Sequence, residues 1–114
     1  MSRIYLDHAA TTPMVPEAVE AMTRELTRVG NASSLHTSGR RARRVVEESR
    51  EAIAAHVGAS PTELIFTSGG TEADNFAIRG AAESLEATGR KHLITSGIEH
   101  EAVINTFKAL ARRG

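Results

Sequence analysis

Apolar positions recur near the 3.6-residue period in four long stretches of this chain and bunch into two short, β-branched runs. In "VPEAVEAMTRELTRVG", Val19, Met22, Leu26 and Val29 fall at helical spacing. Pro16 suits the first turn of that helix and Gly30 the position after its last. "NASSLHTSG" is a loop by composition. "RRARRVVEESREAIAAHVG" predicts the longest helix, with Val45, Val46, Ile53 and Val57 as its stripe, small Ser49 and Ala52 between them, and Gly58 as its stop. "SPTE" predicts a turn, and "LIFT" a buried strand too brief and β-branched for a helix. "TEADNFAIRGAAESLEATG" predicts a helix with Phe76, Ile78, Ala82 and Leu85 along one side and Gly89 past its end. "KHLITSG" is the second predicted strand, and "EHEAVINTFKALARRG" a last helix with Val103, Phe107 and Leu110 on one face. Residues 1–15 read as a short extended segment and an irregular loop. From residue 63 onward the order strand–helix–strand–helix is that of an α/β fold.

Charge narrows the function classes. Fourteen basic residues balance fourteen acidic ones, and the pI is near 7.0, so the basic excess of a nucleic-acid or membrane-surface protein is missing. The local run "RRARR" is better read as a solvated helix face, because Arg43–Glu47 and Arg44–Glu48 stand at i,i+4. No apolar run approaches the ~18 residues of a membrane span. Cysteine is absent, which removes disulfides and thiolate metal sites from consideration. The composition is that of a soluble, cytoplasmic protein whose core must be built from Leu, Ile, Val and Ala.

Two places carry candidate chemistry. In "FTSGGTEADN" a strand stops at Ser68-Gly69-Gly70 and turns straight into a helix, leaving unpaired N–H groups at the helix start. Those donors and the positive end of the helix dipole suit an anion, and Thr71 adds a hydroxyl. The stretch matches neither GxGxxG nor GxxxxGK[ST], so it is sized for one phosphate and not for a pyrophosphate. The plainer alternative is a tight turn with Thr71 as N-cap, its dipole already complemented by Glu72 and Asp74. His100 is the second place, just beyond the second strand, on the edge where open α/β sheets bind ligands. A helix cap or surface role is its alternative. The remaining histidines, His8, His36, His56 and His92, show no metal-ligand spacing, and no metal site is expected.

Taken in order, "YLDHAATTP", "GNASSLHTSGR", "FTSGGTEADN" and "EHEAV" resemble a cysteine desulfurase of the nitrogen-fixation and iron–sulfur-cluster type. These are class V aminotransferases, pyridoxal 5'-phosphate enzymes of fold type I. The resemblance runs from Tyr5 to Gly114, with Ala32 standing where the family more often has proline. It implies that residues 16–114 begin a cofactor-binding large domain, a three-layer α/β/α unit with a mixed, mostly parallel sheet. It implies that the amides of Gly70 and Thr71, with the Thr71 hydroxyl, hold the cofactor phosphate. His100 would lie over the pyridine ring and help to move protons. The segments around Asp7 and Asn31 would sit near the mouth of the site or a homodimer interface.

The family activity would convert L-cysteine to L-alanine and leave the sulfur as a persulfide on an enzyme cysteine. An iron–sulfur scaffold, tRNA thiolation or another sulfur acceptor would receive it. Three family parts have no counterpart in these residues: the Schiff-base lysine, the nucleophilic cysteine and the acidic partner of the pyridine nitrogen. Lys91 and Lys108 are the two lysines, and neither stands in the family's Ser-x-His-Lys setting. The resemblance is therefore to the amino-terminal part of such an enzyme, inactive by itself. Its two predicted strands would be separated in the sheet by strands from elsewhere, and no complete core would be available. The alternatives are another fold type I enzyme, such as a selenocysteine lyase or an aminotransferase, and a non-catalytic α/β phosphate-binding module.

Overall fold

The computed structural model describes residues 4–113; the first three residues of the expected extended segment, and Gly114, lie outside that range. Four helices form: α1 (Pro16–Leu26), α2 (Thr37–Val57), α3 (Gly70–Glu86) and α4 (Glu101–Ala111). A single 3₁₀ turn, Pro61–Glu63, follows α2. The backbone divides into two units, one ending at Glu63 and the other beginning at Leu64.

In the first unit, the loop before α1 closes on itself. The Tyr5 hydroxyl lies 2.8 Å from the Asp7 carbonyl and 2.9 Å from that of Thr11, and the Tyr5 ring meets His8 edge-on. Pro16 opens α1 as expected, because its fixed φ suits the first turn and its missing N–H is not needed there. The helix stops at Leu26, short of the predicted glycine: Thr27 caps it, with its hydroxyl donating to the Arg24 carbonyl at 3.0 Å. Gly30 has a different reason to be glycine. A Cβ there would stand 2.8 Å from the Ser38 carbonyl oxygen and 3.0 Å from Ala42 Cβ.

The longest helix begins three residues before the sequence pattern suggested. His36 caps α2 by accepting the Gly39 N–H on its Nδ1 at 3.3 Å, a bond that composition alone assigned to a loop. At the other end Gly58 adopts φ 70° and the Ala59 N–H returns to the Ala54 carbonyl at 2.9 Å, the Schellman closure that glycine permits. The predicted i,i+4 ion pairs do not form; Arg50 pairs instead with Glu47 at 3.1 Å, one turn along. The predicted stripe is also displaced. Gly39 and Ala54 are the buried residues of α2, whereas Val46, Ile53 and Val57 are exposed, as are Val19, Met22 and Leu26 of α1. Amphipathic spacing records which face wants cover, and among the described residues little lies over these faces.

The second unit contains α3 packed on α4. Contact runs through small residues. Ala102 and Thr106 are buried, and the Thr106 hydroxyl is satisfied by the Ala102 carbonyl at 2.7 Å. Ile78, Ala82 and Leu85 turn partly inward as predicted, but Phe76 is 61% exposed. Gly89, at φ 82°, closes α3 with the Arg90 N–H returning to the Leu85 carbonyl at 3.1 Å.

The α/β expectation is met only in its helices. Residues 64–67 and 91–96 run without regular structure, and no β-ladder forms among the described residues. A β-branched run supplies half of a ladder, and a strand is stable only with a neighbour at hydrogen-bonding distance. The two segments do not serve as that neighbour for each other.

Candidate functional site

The turn into α3 is built from the inside. Glu72, in the first helical turn, folds back so that one carboxylate oxygen accepts the Ser68 N–H at 2.6 Å and the Ser68 hydroxyl at 2.7 Å. That backbone N–H first, and the hydroxyl second, hold the Glu72 carboxyl below its ordinary value of 4.5, so it is ionised and committed to the loop. The Thr67 hydroxyl donates to the Gly69 carbonyl at 3.1 Å. Gly69, with extended backbone, is the N-cap, and no side chain caps the helix. Thr71 is thus within the helix and is not its N-cap. The first intrahelical bond runs from Ala73 N to the Gly69 carbonyl at 3.0 Å. The amides of Gly70, Thr71 and Glu72 consequently have no acceptor among the described residues.

These donors are open. A Cβ added at Gly69 or Gly70 would meet nothing within 4 Å, so no neighbouring atom of this unit demands glycine. What the two glycines provide is clearance above the amides. An anion of phosphate size fits such a place by charge and by donor count.

His100 is the N-cap of α4, its Nδ1 accepting the Ala102 N–H at 3.2 Å. The capping alternative is therefore realised in the geometry, and it has a chemical consequence. With Nδ1 occupied as acceptor, the neutral ring carries its proton on Nε2.

The helix starts converge on one cavity of about 390 Å³, lined by Thr71, Asn75 and Arg79 from α3 and by His100, Glu101 and Asn105 from α4. Its volume is in the range of small-molecule clefts, about 300–1,000 Å³. Thr71 and His100, chosen from sequence, share it, and Gly70 is the residue next to Thr71. Asn75, Arg79 and Asn105 were not anticipated. The Asn75 amide donates to the Thr71 carbonyl at 2.9 Å and so holds the first turn of α3. A polar residue four or eight positions into a helix reads as surface, which is why the pattern gave no signal for them. A second cavity, of about 470 Å³, lies between the carboxyl ends of the same helices and takes in both lysines, Lys91 and Lys108. Lys91 is engaged there with Glu86 at 3.0 Å. No helix among the described residues is long and apolar enough to cross a membrane.

The sequence matches the family described as aminotransferase class-V over residues 4–114. An IscS-like cysteine desulfurase of Mycobacterium tuberculosis is 55% identical over 108 residues, covering 93% of this chain and 28% of that protein. The cysteine desulfurase IscS of Dictyoglomus turgidum is 50% identical over 112 residues, covering 97% of this chain and 28% of its own. Among solved structures, a NifS-like protein superposes with a TM-score of 0.81 at 36% identity, over 92% of this chain and 29% of that one. DndA from Streptomyces lividans gives a TM-score of 0.74 at 50% identity, over 97% and 31%. The chain spans less than a third of the length of these relatives.

Proposed function

Since the chain belongs to the aminotransferase class-V family, we propose that it forms the phosphate-binding edge of a pyridoxal-phosphate-dependent cysteine desulfurase. One observation carries this reading: Thr71, among the open amides at the start of α3, and His100, at the start of α4, line one cavity. The names of the relatives supply the substrate class, L-cysteine, and the working protein would release L-alanine and pass the sulfur on as a cysteine persulfide. In this reading it is a cytoplasmic homodimer that serves an iron–sulfur scaffold or another sulfur acceptor.

When bound, pyridoxal phosphate would supply an electron sink for the loss of the substrate's α-proton. This chain's residues have narrower tasks. The amides of Gly70 and Thr71 and the Thr71 hydroxyl would bind the phosphate, and the α3 dipole would favour its charge. Asn75 holds the Thr71 carbonyl and so keeps the cradle's backbone in place. Glu72, tied to Ser68, keeps its negative charge on the loop side of the turn. His100 would cover the cofactor ring. While it caps α4 the neutral ring can donate a hydrogen bond from Nε2 but can neither accept a proton there nor act as imidazolium, so moving a proton would require breaking the Ala102 bond.

The test is Gly70→Pro in the full-length protein. Gly70 is the first residue of α3, where proline is tolerated, so the helix survives while one N–H is lost. Loss of a charge-assisted hydrogen bond, about 1.5–3 kcal/mol, should weaken cofactor binding by roughly ten- to a hundredfold. Visible absorbance of bound cofactor measures this, and undiminished occupancy would overturn the reading. Sulfide release from L-cysteine separates a desulfurase from an aminotransferase.

A further inference from the structure

Arg79 is the unexplained residue of the cavity. It stands eight positions after Thr71 and four after Asn75, so all three share one face of α3 and all line the same space. Its Nε is buried and has no hydrogen-bond partner among the described residues. Arg79 joins none of the ion pairs formed there. Glu101, which lines the same cavity from α4, leaves it unpaired. A guanidinium cannot shed its proton, so a buried donor on it must find an acceptor or remain unfavourable.

The surroundings narrow what that acceptor is. Glu101 is the one carboxylate of the cavity and does not reach Arg79; Thr71 brings a hydroxyl beside the open amides at the start of α3, and the start of α4 adds a second positive dipole end. Along α3, Arg79 Cα lies about 12 Å from that of Thr71, since each residue rises about 1.5 Å. Helical side chains lean toward the amino end, which carries the guanidinium back toward Asn75. Its planar fork matches an oxyanion bidentately.

We infer that Arg79 is an oxyanion receptor of this cavity, engaging a ligand phosphate or carboxylate and extending the anion cradle of Gly70 and Thr71 down the face of α3. The inference rests on the cradle reading above. The two anion sources are the phosphate of the cofactor and the carboxylate of the amino-acid substrate.

The experiment uses full-length protein and compares ligands that differ only in the anion. Apo-protein is titrated with pyridoxal phosphate and with pyridoxal, and cofactor-loaded protein with L-alanine and with ethylamine, both read by absorbance. Arg79→Gln should weaken one anion-bearing ligand about tenfold or more while sparing its anion-free counterpart, and the pair affected identifies the source. If Arg79→Gln fails to fold by circular dichroism, Arg79→Lys takes its place. It keeps the charge but loses the planar fork, and should weaken the same ligand about threefold or more. Equal effects on both members of each pair, or no effect in a folded variant, overturn the role of Arg79. Gly70→Pro run beside it separates the two ideas: if it loses its preference for pyridoxal phosphate while the Arg79 variants keep their preference in both ligand pairs, the cradle stands and the Arg79 inference falls. If neither variant changes any preference, both fall.

Discussion

Replacing His100 by asparagine separates the two roles that the geometry assigns to one side chain. The imidazole accepts the N–H of the buried Ala102 at 3.2 Å, the long end of the normal range. Loss of an N-cap costs about 0.5–2 kcal/mol, and a cap bond this long belongs in the lower half of that range. Asparagine is among the best N-caps, so His100→Asn should keep α4 anchored, with the stability of the full-length protein changed by less than about 0.5 kcal/mol. What asparagine cannot supply is a flat aromatic ring that can take up and release a proton. Ring stacking contributes about 0.5–1.5 kcal/mol, a two- to tenfold effect on cofactor affinity, and an imidazole that leaves its cap to carry a proton about 10²–10⁴-fold in rate. The expected result is a melting temperature like that of the parent with turnover from L-cysteine lowered at least a hundredfold. His100→Ala should show the same kinetic loss with a melting temperature a few degrees lower. The assay pairs thermal denaturation with sulfide release per folded molecule. Full turnover in His100→Asn would refute the reasoning and leave His100 as a cap alone.

Gly39→Ala should destabilise the full-length protein by about 1–3 kcal/mol in urea denaturation, because the new Cβ would stand 2.3 Å from the Ser34 carbonyl oxygen and 2.7 Å from that of Asn31; an unchanged midpoint would show that this loop yields freely. Glu72 carries a pH prediction. Its carboxyl lies below its ordinary value of 4.5 in the folded state, so its contribution is present above that value and fades as pH falls through the lower folded one. Glu72→Gln should lose that dependence as the pH is taken below 4.5, and a variant whose urea midpoint still follows the parent's there would contradict it. The 114-residue chain by itself should show helical circular dichroism without a cooperative melt, since Ala54 and Ala102 are the buried hydrophobic residues among those described. A sharp two-state transition would be the contrary result.

Helices were legible in this sequence because their signals are local. Pro16 starts α1, and Gly58 and Gly89 close α2 and α3 in left-handed turns that few other residues adopt. The start of α2 escaped notice because its cap is His36, and histidine carries little of the cap preference that Ser, Thr, Asp and Asn do. Strand formation was not legible in the same way. "LIFT" and "HLITS" have the composition of strands, but pairing is a property of two segments together, and neither segment encodes the distance to the other. The exposed Val19, Met22, Ile53 and Phe76 carry the same lesson for packing: period 3.6 marks a face, and only tertiary neighbours bury it. At the candidate site the order of clarity was reversed. The glycine turn and His100 stood out by type and place, and four motifs in register tied them to a family. Arg79 did not, because an arginine in a helix with Glu83 four positions on reads as half of a solvated charge pair. What marks it is a fact of packing, a buried Nε with nothing to bond, in a cavity that two helix starts also line. A sequence shows which groups carry charge, whereas the burial that leaves a charge short of a partner exists only once α3 and α4 have packed together.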